Sequence, residues 1–396
     1  MSWMLTTIGE HCTVTSSKRF HISDRSESGV PFYCSRQIIQ RNHGEEITDF
    51  DFIREEFYMD VAKRFGVPQE NDLLVTTRGT IGIPYLYRSD DRFYFADGNL
   101  TWMKDFKQTL LPQYLYYWFL TEEGQNKIDA IAKGTAQKAV PIAGIKSLEI
   151  RLPPIVTQQS ITNILASYDK LIENNQKQIK LLEEAAQRLY KEWFVDLRFP
   201  GYENTPVVDG VPEGWSVQCL SDFANVIMGQ SPKSEFYNQE KNGLPFHQGV
   251  GSYGTRFVID NTYSTSYTRI AEAGSILFSV RAPVGRLNMT KNKIVIGRGL
   301  AAMNHKKGMQ SYLYYLLKER FFKDDILGNG SIFASISKDE LLSQKFTIPT
   351  DPLVEEFNSI TSNIDKKIAN LAEQVILLTE VRDRLLPKLM NGEIEV

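Results

Sequence analysis

The sequence predicts an α+β protein written twice, with two leading domains of mixed strands and helices, each followed by one long amphipathic helix. Three observations carry this. Short motifs recur in the same order in both halves, apolar residues form two heptad runs at a fixed offset, and prolines stand at the entry of each run. At 396 residues the chain has room for about two to three domains.

The repeat comes first because it dictates the rest. Trp3 leads to Ile8-Gly9-Glu10 as Trp215 leads to Leu220-Ser221-Asp222. Gly29-Val30-Pro31-Phe32 matches Gly243-Leu244-Pro245-Phe246. Asp72-Leu73-Leu74-Val75-Thr76-Thr77-Arg78, with Gly82, matches Ser275-Ile276-Leu277-Phe278-Ser279-Val280-Arg281, with Gly285. Tyr114-Leu115-Tyr116-Tyr117 matches Tyr312-Leu313-Tyr314-Tyr315, Gly134-Thr135 matches Gly330-Ser331, and Leu152-Pro153 matches Ile348-Pro349. The offsets run 212, 214, 203, 198 and 196. They drift in the first part of each copy, where loops vary in length, and hold at 196 from Gly134 through Leu189 and its mate Leu385.

The fixed-length part reads as a helix. Ile161, Leu165, Tyr168, Ile172, Asn175, Ile179, Leu182, Ala186, Leu189 and Trp193 step alternately by four and three, the seam of a coiled coil. Adding 196 gives Phe357, Thr361, Ile364, Ile368, Leu371, Val375, Leu378, Arg382, Leu385 and Leu389, with Thr361 and Arg382 as weak points. Pro153 and Pro154 precede the first helix and Pro349 and Pro352 the second, since proline suits a helix entry and opposes its interior. Pro387 is accordingly expected to stop or kink the second helix and leave Leu389 outside the seam. Each helix of roughly 35 residues spans about 50 Å and must bury its stripe against a partner, for which its repeat-mate is the natural choice. Antiparallel pairing puts the leading domains at opposite ends of the rod, and the pattern permits parallel pairing too. Asn175, opposite in the repeat to Leu371, is either a register-fixing polar group or a tolerated, partly solvated one.

The leading domains, 1–153 and 200–349, hold short Val/Ile/Phe/Tyr runs broken by Gly, Pro and Asn. Ser275–Val280 and Lys293–Ile296 read as strands, and Gln113–Thr121 and Gln310–Lys323 as helices, without regular βαβ alternation. Net charge is −2 over 1–153, 0 over 154–199, +3 over 200–349 and −4 over 350–396. The first domain carries an acidic stretch (Glu45, Glu46, Asp49, Asp51, Glu55, Glu56, Asp60) and is basic outside it. Several loops suit phosphate or base contact. Gly229-Gln230-Ser231-Pro232-Lys233 gathers N–H, amide, hydroxyl and ammonium donors at one turn. Arg281 with Arg286, and Arg298 between Gly297 and Gly299, set guanidinium groups beside close-approach glycines. Ser279 precedes Arg281 as Thr76 and Thr77 precede Arg78 and Gly79, and Lys133, Gln137 and Lys138 flank Gly134. Arg and Lys suit guanine edges and Gln or Asn adenine edges, and any of them can instead hold phosphate or stand as an ordinary surface charge.

Much is excluded. Hydrophobic residues at 42% and charged residues at 23% rule out a disordered or fibrous chain, and a net charge of −3 rules out a uniformly basic coat. Cys12, Cys34 and Cys219 form an odd, sparse set, which points to a reducing compartment. No signal-peptide pattern opens the chain, and the apolar patch Tyr114–Leu120 is too short to span a bilayer, so a cytoplasmic protein without membrane contact is expected. No Gly-Lys pair makes a Walker A loop, no Glu-x-Lys tripeptide marks a nuclease centre, and no Asn-Pro-Pro-Tyr-like methyltransferase motif occurs. Gly249-Val250-Gly251-Ser252-Tyr253-Gly254 fits GxGxxG but leads into strand-like Arg256-Phe257-Val258-Ile259, not into a helix. His11, Cys12, His21 and Cys34 lack zinc spacing. No catalytic residue and no metal site is therefore expected.

The order of domain, Pro-bounded helix, domain, Pro-bounded helix resembles the DNA-specificity subunit of type I restriction–modification enzymes. The matching pieces are Leu152-Pro153-Pro154 with Gln158-Gln159, the heptads ending in Arg188-Leu189-Tyr190, and Arg384-Leu385-Leu386 before the tail. Gly274-Ser275-Ile276-Leu277 and the Met228-Gly229-Gln230-Ser231-Pro232 turn match as well. The chain departs at Ile348-Pro349-Thr350-Asp351-Pro352 with Glu355-Glu356, and Ser16-Ser17-Lys18-Arg19 stands where the first half would carry a Gly-x-Ser-Pro turn. The resemblance implies two target recognition domains (1–153 and 200–349), each reading half of a split, asymmetric sequence in double-stranded DNA. It implies that spacer helices in 154–199 and in 350–396, which includes the C-terminal tail, pair as an antiparallel coiled coil that docks two methyltransferase subunits. Translocating nuclease (restriction) subunits join that core. Cofactors belong to the partners: S-adenosylmethionine and ATP/Mg there, none in this chain. A rod of about 50 Å exceeds one turn of B-DNA, ~34–36 Å, so its ends could face neighbouring major-groove turns. The competing readings are a pseudosymmetric protein-interaction scaffold with no DNA role, and a self-contained enzyme, which the missing motifs disfavour.

Overall fold

A computed structural model describes residues 3–42, 44, 47–134, 138–321 and 335–396. The chain forms two compact units, Met1–Gln176 with Glu373–Val396, and Lys177–Ala372. Each contains one leading domain and a segment of each of two long helices, Ile155–Phe194 and Asp351–Met390.

In the first unit, Met4–Thr7 pairs antiparallel with Glu149–Leu152 and closes the domain at its ends. A four-stranded antiparallel sheet runs in the order Thr13–Thr15, Leu100–Lys104, Leu73–Thr76, Pro84–Leu86. A second runs Arg25–Ser26, Asp51–Ile53, Val30–Tyr33, Tyr94–Phe95, its last pair parallel. The second unit repeats this plan. Ser216–Cys219 pairs with Lys345–Ile348. One sheet runs Ala224–Met228, Leu300–His305, Ile276–Ser279, Leu287–Met289. The other runs Tyr237–Asn238, Tyr263–Ser264, Leu244–His247, Ile294–Ile296, with the inner pair parallel and Ile270–Ala271 as an added edge. The parallel pairs within otherwise antiparallel sheets carry no simple sequence signal.

The predicted strands lie at Ile276–Ser279 and Ile294–Ile296, and the predicted helices at Pro112–Leu120 and Gln310–Phe321. Residues 322 and 323 of the second prediction, the repeat match at Thr135, Gly330 and Ser331, and Glu45 and Glu46 of the acidic stretch lie outside the described residues. Both helices are buried along the tyrosine faces that the repeat shares: Tyr114 and Tyr117 in the first unit, Tyr312 and Tyr315 in the second.

Both long helices run 40 residues, longer than predicted, and every seam position is buried or half-buried. Within each unit the two helix segments run in opposite directions. In the first unit Asp169 meets Arg382 at 2.8 Å and Asn175 Nδ2 donates to Gln374 Oε1 at 3.1 Å. In the second, Tyr190 and Trp193 pack on Phe357, with ring centroids 5.8 Å apart in both cases. The two weak seam points are thereby accounted for. Thr361 is fully buried and returns its hydroxyl to the Phe357 carbonyl at 2.9 Å, and Arg382 is the partner of Asp169. Asn175 is buried and hydrogen-bonded, which fits the register-fixing alternative.

Two proline expectations are corrected. Pro352 lies inside the first turn of its helix instead of before it, where the missing N–H would have had no intrahelical partner. Pro387 neither ends the helix nor expels Leu389. The helix continues to Met390, and Leu386, Leu389 and Met390 are buried in the core of the first unit with Ile161 and Leu165. So close to the helix end, one lost hydrogen bond is offset by three buried apolar side chains.

Arg256 is almost fully buried in the second unit, 2% exposed. Its guanidinium reaches Asp365 at 2.6 Å and Glu183 at 3.7 Å and stacks 3.4 Å from the Tyr314 ring centroid. Burial disfavours its charge, but Tyr314, Asp365, Tyr315 and Glu183 more than compensate and push its pKa up. A domain loop is thus bolted to both helix segments. In the first unit the equivalent carboxylate, Asp169, is held by Tyr117 at 2.6 Å and by Arg382.

Candidate nucleic-acid interface

The same turn is built in both units. In the first, Thr76 N donates to the Ile83 carbonyl (3.0 Å), Gly82 N to the Thr76 carbonyl (2.8 Å) and Ile83 N to Thr76 Oγ1 (2.9 Å). In the second, Ser279 N donates to the Arg286 carbonyl (2.9 Å), Gly285 N to the Ser279 carbonyl (3.0 Å) and Arg286 N to Ser279 Oγ (2.8 Å). Gly82 and Gly285 close the turn at φ +82° and +89°, which only glycine adopts without strain. The next residue is fixed as well, with Thr77 N on the Asn99 carbonyl and Val280 N on the Gly299 carbonyl. What projects from this frame is Arg78 in one unit and Arg281 in the other, both exposed.

Three of the predicted contact residues lie within this frame. Thr76, Thr77 and Ser279 are buried, and the hydroxyls of Thr76 and Ser279 bond the turn itself. The Thr76 and Ser279 hydroxyls thereby help shape the arginine-bearing loop. Gly79 is exposed beside Arg78 at φ +76°.

The other predicted residues of the second unit converge on the same loop cluster. Gly229 N donates to the Leu300 carbonyl (2.8 Å) and Gln230 N to the Ile296 carbonyl (2.9 Å), while Ser231 Oγ accepts from Arg298 N at 3.2 Å. Gly229 must be glycine because a Cβ there would meet the Gly297 carbonyl oxygen at 2.1 Å. Gln230, Lys233, Arg286 and Arg298 are exposed, with Lys233 3.9 Å from Glu235. Among the described residues no carboxylate pairs with Arg281 or Arg298, so these guanidinium groups stand open to an anion.

In the first unit the equivalent of the glycine turn is the stretch with Lys18 and Arg19. Ser16 Oγ donates to the Leu100 carbonyl at 2.9 Å, and Lys18 N to Tyr94 Oη at 2.7 Å. Burial pushes the Tyr94 phenol up to about 12, so it stays a neutral anchor. Lys18 lies over the Phe65 ring at 4.2 Å, Arg19 pairs with Asp97 at 3.4 Å, and Lys138 pairs with Asp129 at 2.8 Å. Lys133 is exposed, and its main chain pairs with Ala139, itself bridged to Arg78. Gln137 lies outside the described residues. Sequence reasoning missed Gln248, which lines the second-unit cluster beside Arg281. The Gly249–Gly254 motif forms a single 3-10 turn at Val250–Ser252.

Comparison with known proteins fits this duplication. The type I restriction modification DNA specificity domain matches residues 2–184 and again 212–384, and the chain belongs to that family. It is 32% identical over 326 residues, 80% of this chain and 76% of the other, to a Methanocaldococcus jannaschii protein whose name assigns it to the MjaX type I restriction enzyme as specificity subunit. It is 27% identical over 308 residues, 73% of this chain and 71% of the other, to the MjaIX specificity subunit of the same organism. In fold it resembles the crystal structure of a type I restriction–modification S subunit from M. genitalium (TM-score 0.61, 18% identity, 98% of this chain and 96% of the other). The chain is a type I DNA specificity subunit carrying two specificity domains. Among the described residues no helix is long and apolar enough to cross a membrane.

Proposed function

We propose that each leading domain, 1–153 and 200–349, reads one half of an asymmetric, interrupted sequence in double-stranded DNA. The carrying observation is the shared turn frame that projects Arg78 in one unit and Arg281 in the other. A frame fixed by its own main chain with an exposed arginine at its tip suits DNA contact, where phosphate contacts position a protein and base contacts specify. The segments 154–199 and 350–396 supply the long helices, which we read as an antiparallel coiled coil that sets the spacing of the half-sites. Opposed helix segments and covered seam positions within each unit support this. The helices also dock two methyltransferase subunits, to which nuclease subunits can be added. Exposed apolar side chains on the helices support docking: Leu171, Ile376, Leu377 and Val381 in the first unit, Leu181 and Ile360 in the second. The chain itself is non-catalytic. S-adenosylmethionine and ATP/Mg act on the partner subunits, and the complex works in the cytoplasm.

The test is methylation mapping after co-expression with the methyltransferase subunit. The expected result is methylation confined to one bipartite, non-palindromic sequence. Assembly without any sequence selection favours the scaffold alternative, and methyl transfer by the isolated chain would make it an enzyme.

A further inference from the structure

One neutral polar side chain stands exposed among the arginines of the second unit's loop cluster. Gln248 is the first residue after the strand Leu244–His247. Gly297 N donates to the His247 carbonyl at 2.8 Å and Gly299 N to the Gln248 carbonyl at 3.0 Å. His247 beneath it is itself fixed, with Nδ1 2.8 Å from Ser252 Oγ and Nε2 2.9 Å from Asp260 Oδ1. These approaches require glycine. A Cβ at Gly299 would meet the Gln248 carbonyl oxygen at 2.3 Å, and one at Gly297 would meet the Gln248 Cα at 3.0 Å. The backbone is therefore locked, while the side-chain amide is exposed and makes no hydrogen bond among the described residues. It opens into a concavity of about 200 Å³ that Arg281 and Ser279 also line.

The chemistry narrows the ligand. A neutral amide gains nothing from counterion release, which the neighbouring Arg281 and Arg298 can supply. Its matched donor and acceptor instead fit the N6 and N7 edge of adenine, which carboxylates, ammonium and guanidinium groups do not reproduce. The equivalent position in the first unit is Cys34, which follows Tyr33 at its strand end, and its N–H is capped by Gln37 Oε1 at 3.0 Å. The two units thus differ in chemistry at one corner of a common frame. Resting on the DNA reading above, we propose that Gln248 is a specificity-determining residue of the second recognition domain and takes an adenine edge in the major groove.

The test uses the full chain assembled with methyltransferase subunits, a randomised duplex pool, and sequencing of the bound DNA for wild type, Gln248→Ala and Gln248→Glu. The side chain is exposed, so melting of both variants at the wild-type temperature is the folding control. Gln248→Ala should lose preference for an A·T pair at one position of one half-site by about 5- to 150-fold. Gln248→Glu should move that position toward cytosine, whose N4 donates to a carboxylate. The other half-site should stay unchanged. Identical selection by all three proteins overturns the proposal, as does equal weakening on every sequence. A wild-type assembly that selects no sequence overturns the DNA reading and this assignment with it.

Discussion

At the residue scale, exposed and buried arginines have opposite tasks. Arg78 and Arg281 project from turns that need nothing from their side chains, so alanine at either should leave folding intact. In binding to the methylated target, Arg281→Ala should cost about 1–3 kcal/mol and relax one half-site, with Arg78→Ala doing the same at the other. Equal weakening on all duplexes would make that arginine a phosphate ligand. Arg256→Ala should act on stability instead. It removes the guanidinium from Asp365 and Glu183 inside the second unit and leaves them only Tyr315 and Lys318, which costs about 3–5 kcal/mol and should show in urea unfolding. Two histidines add a pH dependence. His11 lies between Thr6 and Thr109 hydroxyls at 2.9 and 2.7 Å, and burial lowers its pKa; His305 is lowered by burial and by Lys307. Both favour the neutral ring when folded, so their contribution is complete above the unfolded value, near 6.5. It is lost as pH falls from there through the folded values. The melting temperature should drop on acidification through this range, and less so in His11→Gln. Neither the Arg256 cluster nor the role of Gln248 was legible in the sequence. A lone arginine in a polar loop says nothing of the carboxylates that two distant helices bring to it, and Gln248 has meaning only once three loops meet around it.

At the element scale the long helices were the most legible part. A seam of alternating four and three steps is a local property, and each of its positions is covered. Pro387 does not end its helix because propensity describes an isolated helix, whereas tertiary burial of Leu386, Leu389 and Met390 decides this end. Leu389→Ala should accordingly cost about 2–5 kcal/mol in the unfolding of the first unit. Asn175→Leu, matching its mate Leu371, should leave stability equal or higher while freeing Gln374 to water, and any loss would lie in register, read as a changed spacer between methylated half-sites. The strands were legible where apolar runs were strong, as at Ile276–Ser279. The two-residue strands at Arg25–Ser26 and Tyr237–Asn238 form because neighbours supply the ladder, and no pattern of two residues can announce that.

At the scale of the whole molecule, duplication is legible in the ordered motifs, and each unit has its own sheets and core. Exchange of residues 200–349 for the corresponding domain of another family member should therefore replace one methylated half-sequence and spare the other, as mapping in a host genome would report. Substituting Asp for Leu377 or for Leu181 should reduce co-purification of the methyltransferase subunit without changing the melting temperature, because both side chains already face water in the chain alone.

The paired turns have one more implication. Their hydrogen bonds come from main chain and from two sheltered hydroxyls, so the outward amino acids contribute almost nothing to holding the shape. Substitution at those few outward positions should therefore leave folding intact, so what the loop presents can change independently of the scaffold that presents it.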